Sequence, residues 1–121
     1  MNHGSFERVN VSFLRSLTGQ IATPVPTVRL IGSRGEFSRF LQDRTLFFDG
    51  RFAFYEGYES DEYFRKYDLI ALLVCGEYDL ESVERVGNLW HVALKPLGGD
   101  NHSAYFLTVE KCEGAEGAVL R

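Results

Sequence analysis

Seven consecutive apolar residues, Leu69 to Cys75 in the stretch YESDEYFRKYDLIALLVC, constrain this chain more than any other feature. A run that short cannot cross a bilayer, which takes about 20 residues as a helix. It fits a strand whose two faces are both buried. Such a strand belongs in the middle of a sheet covered on both sides. The acidic, tyrosine-rich collar before it has a local explanation. Ser60 is placed to cap a short helix, with Asp61 and Glu62 in a first turn where the helix dipole favours anions. Tyr63, Phe64 and Tyr67 then give that helix an apolar face, and Asp68 marks its exit.

The rest of the chain supplies the other layers. FERVNVSFL (6–14) alternates, with Val9, Val11 and Phe13 on one face of a strand. Residues 1–5 read as a disordered tail, and 6–121 as a single globular domain. TGQIATPVP (18–26) is a proline-bearing loop, and TVRLI (27–31) a short strand. In SRGEFSRFLQDR (33–44), Ser33 and Glu36 form a capping box, and Phe37, Phe40 and Leu41 form an apolar stripe. TLFFDGRFAFYEGY (45–58) reads as an irregular aromatic loop in preference to a hairpin.

After the apolar run come LESVERV (80–86), a Gly87-Asn88 turn, LWHVALK (89–95), a Pro/Gly loop over 96–103, and AYFLTVEKC (104–112). GAEGAVLR (114–121) adds a short edge strand or frays. Four strands joined by short connections alternate in direction. The expected fold is α+β, an antiparallel β-sheet, with a sandwich-like arrangement open as an option, and two short helices packed on it.

Composition narrows function mainly by exclusion. A net charge of −4 and scattered arginines argue against a nucleic-acid surface. The opening MNHGSFERVNV has no apolar signal-peptide core. His3, His91 and His102 have no ligand spacing, so neither a metal nor another cofactor is expected. Cys112 precedes acidic residues, the opposite of the setting a reactive thiol needs. Cys75 and Cys112 are expected as two free thiols, at opposite ends of the sheet. The serines lack a nucleophile elbow, and Gly98-Gly99 lacks the lysine and helix of a phosphate loop.

Of ten Phe, six Tyr and one Trp, nine lie within residues 47–67. They either fill the space between helix and sheet or line a binding surface. On the second reading Tyr55 and Tyr58 are candidate binding residues. Asp100, Asn101 and His102 are candidates for polar contacts beside them.

Four stretches, VRLIGSRGEFSRFL, YESDEYFRKYDLIALLV, ESVERVGNLWHVAL and SAYFLTVEK, together resemble the PrcB-like family. These are small bacterial extracytoplasmic or lipoprotein domains grouped with protease-complex accessory proteins. Asp61-Glu62-Tyr63-Phe64 and Leu69–Val74 stand for the family's middle signature. Its Gly-Gly-Tyr signature is missing, and Gly98-Gly99-Asp100 is a distant echo of it. The family offers no catalytic residues to carry over. The resemblance implies a non-enzymatic accessory or binding domain of an envelope or secreted system, extracytoplasmic, with a protein partner. Without it, a small intracellular regulatory or interaction protein, hence cytoplasmic, is the alternative. A small hydrolase is a third reading, which would need two buried carboxylates in a deep pocket.

Overall fold

The computed structural model describes residues 3–9, 11–13, 26–43, 46–48 and 60–121. Among them the chain is mostly strand, with two short helices, an α+β fold. In chain order these are β1 (His3–Val9), β2 (Val11–Phe13), β3 (Thr27–Ile31), α1 (Arg34–Asp43), β4 (Leu46–Phe48), α2 (Asp61–Lys66), β5 (Tyr67–Val86), β6 (Leu89–Glu110) and β7 (Gly117–Leu120).

The main sheet has the order β1-β6-β5-β3, and β7 pairs with β6. The apolar run lies in the first half of β5, between β3 and β6, and Leu69 to Val74 are all buried. Its alternation sends successive residues into two cores. Leu69, Ala71 and Leu73 join Phe37, Phe40, Phe64 and Phe106 under the helices. Ile70, Leu72 and Val74 join Trp90, Val92 and Leu107 on the other face. An unbroken apolar run is what a strand between two cores requires.

Both helix starts follow their caps. Ser33 Oγ accepts from the Glu36 amide at 3.1 Å, and Ser60 Oγ from the Tyr63 amide at 3.1 Å. Glu36 reaches back one residue further than the usual box, to the amide of Gly32.

Several expectations are corrected. β1 begins at His3, inside the segment read as a tail. The alternating stretch 6–14 is divided between β1, which pairs with β6, and β2, which pairs with β4. Leu46–Phe48 is therefore strand, where a loop was expected. Residues 67–86 and 89–110 form one long hairpin where four strands and a loop were expected. The segment 96–103, read as a loop, stays in the ladder: Glu77 pairs with Gly98 and Cys75 with His102. The sheet is mixed, because β6 and β7 run parallel.

Bends let the hairpin stay continuous. The register shifts between Cys75 and Glu77, at Gly76. Gly76 has φ of +101°, and a Cβ there would sit 3.2 Å from the Gly99 carbonyl oxygen. Only glycine accepts both conditions. Past this point the outer half of the hairpin contributes Val83, Trp90 and Val92 to the same core as Ile70 and Leu107. Beyond Glu110 the chain turns and β7 pairs in parallel with residues 89–92.

Candidate functional site

The structure describes three of the five expected binding residues. Tyr55 and Tyr58 lie outside the described residues. Asp100, Asn101 and His102 are strand residues of β6, not a loop. The Asp100 carbonyl accepts a hydrogen bond from the Cys75 thiol at 3.2 Å. His102 is half-buried opposite Cys75 in the ladder. Of the aromatic segment, Phe64 is buried and meets Phe37 at 6.5 Å between ring centres, filling space between helix and sheet. Asp61 and Glu62 occupy the first turn of α2 as capping chemistry requires, and both are exposed.

Two clefts stand out instead. The first, about 530 Å³, gathers Leu30 and Gly32 from the end of β3, Glu36 from α1, Asp68 from β5, Lys111 beyond β6, and Glu116 before β7. Asp68 is 5% exposed, and its Oδ1 lies 2.5 Å from Lys111 Nζ. The same ammonium donates to the Gly32 carbonyl at 3.1 Å. The Lys111 amide donates to the Lys66 carbonyl at the end of α2. One residue therefore ties β3, α2 and β5 together. Its ammonium is only partly buried, and Asp68 provides its counter-charge.

Beside this pair, Tyr63 donates to or accepts from Thr108 Oγ1 at 2.7 Å. Burial pushes the Tyr63 phenol up to about 12, against the pull of the Thr108 bond and with a further push from the Asp68 charge.

The second cleft, about 360 Å³, is lined by Pro26, Val74, Cys75, Tyr78, Leu94 and Leu120, with Arg121 at its edge. Tyr78 is held by two bonds. Its amide donates to the Tyr105 hydroxyl at 3.0 Å, and its hydroxyl donates to the Cys75 carbonyl at 2.9 Å. Arg121 pairs with Glu84 at 2.5 Å.

Gly32 and Glu116 both line the first cleft, and Pro26 and Arg121 both line the second. β3 and β7 are in contact. Among the described residues β3 pairs only with β5 and β7 only with β6, so the two strands share a seam without a ladder.

Sequence reasoning missed the Asp68–Lys111 pair. Its partners are 43 residues apart, and no local spacing marks them. Among the described residues no three His, Cys, Asp or Glu side chains cluster to hold a metal, and no helix is long and apolar enough to cross a membrane. No protein-family model, curated protein or solved structure matches the chain.

Proposed function

We propose that this chain is a non-enzymatic accessory or binding domain of a bacterial envelope or secreted system, as its resemblance to the PrcB-like family implies. The observation that carries the reading is the pair of clefts flanking the contact between β3 and β7, one lined by charged groups and the other mostly apolar. Concave surfaces of this kind are where binding domains receive a partner. We read the hairpin, whose two halves share one core, as the two layers of a sandwich-like body. A hydrolase would place two buried carboxylates together. Of the carboxylates lining the first cleft, Asp68 is buried and bound to Lys111, while Glu36, Glu113 and Glu116 are exposed.

A specific observation favours a second reading, a small intracellular interaction protein. Cys75 is an exposed free thiol and Cys112 a half-buried one. Unpaired thiols suit a reducing compartment. Cell fractionation of the protein expressed from its native gene, followed by chemical crosslinking, separates the two. Recovery outside the cytoplasm with a crosslinked protein partner supports the first reading. Recovery in the cytoplasm with a partner supports the second, and recovery with none in either place removes both.

A further inference from the structure

We infer that β7 is a displaceable strap: it covers the β6 edge at Leu89–Val92, and its release joins the two clefts into one trough. The release is a property of the fold. Its use as a gate to a partner rests on the binding-domain reading.

β7 is lightly held. It is four residues long, and all four are only half-buried. Its ladder runs parallel to β6, a pairing slightly weaker per residue than the antiparallel one. The bonds at its two ends are exposed. At one end the Glu116 amide donates to the Asn88 carbonyl at 2.8 Å, and the Glu116 carboxylate accepts from the Asn88 side chain. At the other the Arg121 amide donates to the Val92 carbonyl at 2.9 Å, and the Arg121 guanidinium pairs with Glu84. Both side chains of that pair are about half exposed, and such a pair adds little. Residues 69–73 of β5 differ in each respect. They have antiparallel ladders on both sides, and all are buried.

The surface under β7 also favours its release. Ala118 stands opposite Trp90 in the ladder, and both belong to the core that holds Ile70 and Leu107. Trp90 is 2% exposed, and its indole N–H is buried with no acceptor. Such a donor is a cost of the closed state, and it gains a partner once water reaches it. Lifting the strand beside it opens that route.

β7 divides the two clefts. Ala115 and Glu116 line the first, Leu120 and Arg121 the second, and Gly117–Val119 lie between. When β7 lifts, the wall that the clefts share goes with it. Leu30 of the first cleft and Val74 and Leu94 of the second then border one apolar trough, with Trp90 and Val92 along it.

The test is amide hydrogen exchange of the full chain, read residue by residue by NMR in increasing low concentrations of urea. The amides of residues 116–121 should exchange about a hundredfold faster than those of 69–73, with little dependence on urea, because a local opening exposes little surface. The exposed double substitution Glu84→Thr/Glu116→Ala removes one side-chain bond from each end. It should speed exchange at 116–121 by about tenfold and leave 69–73 unchanged. It should also make Trp90, the only tryptophan, more accessible to acrylamide quenching. Equal protection and equal urea dependence in the two segments of the unsubstituted protein would show that β7 opens only with the whole fold, and would overturn the inference whether or not the variant folds. A variant that speeds both segments alike would overturn it too. If the strap opens locally and crosslinking finds no partner, the strap stands and the binding-domain reading falls. If a partner is crosslinked and the strap opens only globally, the reverse holds.

Discussion

Lys111 Nζ lies 2.5 Å from the buried Asp68 Oδ1, and the pair closes the base of the sheet where α2 meets β5. A carboxylate this buried is stabilised by its partner, and removing the partner strands it. Lys111→Met should cost about 1–3 kcal/mol. That is less than a fully buried pair costs to break, because Lys111 is partly solvated. Asp68→Asn together with Lys111→Met should cost less than Lys111→Met alone. Urea midpoints at constant slope measure both. Equal losses in the two variants would mean that water, not Lys111, satisfies Asp68.

Leu72 tests the position of β5. It is fully buried, with Val28 on one side and Tyr105 on the other. Leu72→Ala should destabilise by about 2–5 kcal/mol. A loss under about 1 kcal/mol would place this strand at an edge of the sheet.

The two thiols should remain separate. Cys75 pairs with His102, while Cys112 lies two residues past Glu110, which pairs with Tyr67. The nine residues of β5 from 67 to 75 span eight steps, about 26 Å, and a disulfide tolerates a Cα separation of only about 7 Å. Alkylation of native protein should label the exposed Cys75 before the half-buried Cys112. Denatured, unreduced protein should take two labels. Monomer with no label would mean a different ladder.

Tyr63 makes stability depend on pH in the alkaline range. Its phenol is pushed from 10.0 to about 12, chiefly by burial. The neutral form is the one the fold favours, and the unfolded chain ionises first. The contribution is therefore complete below pH 10 and disappears as pH rises from 10 to 12, by on the order of 2 kcal/mol. Tyr63→Phe should flatten this part of the stability profile. It should also cost about 1 kcal/mol at neutral pH through the lost Thr108 bond. Urea midpoints from pH 8 to 11 compare the two proteins, and identical alkaline slopes would rule the assignment out.

Local signals in the sequence led to local structure. Ser33 and Ser60 cap the helices they were expected to cap, and Leu69–Val74 is the buried central strand. The long hairpin was legible only in pieces. Pro96 and Gly98-Gly99 carry the residue types of a loop, yet an antiparallel ladder absorbs positive-φ glycines at bulges without ending. The parallel pairing of β7 with residues 89–92 is encoded by no period in 114–121. The clefts were illegible for the same reason. They form where residues near 30, 68 and 115 meet, and that meeting is a property of the folded hairpin.

The outer pairing of β1 bears on how the chain assembles. His3 pairs with Val109, so β1 joins the sheet only by closing a loop of nearly the whole chain. The hairpin from Tyr67 to Glu110 needs only the Gly87–Asn88 turn to start zipping. Loop-closure entropy favours the near contacts first. The hairpin is thus the natural folding nucleus, and β1 the natural last arrival. By the same logic β1 is the element first released when the protein opens locally, exposing the second edge of β6 while the two cores stay closed.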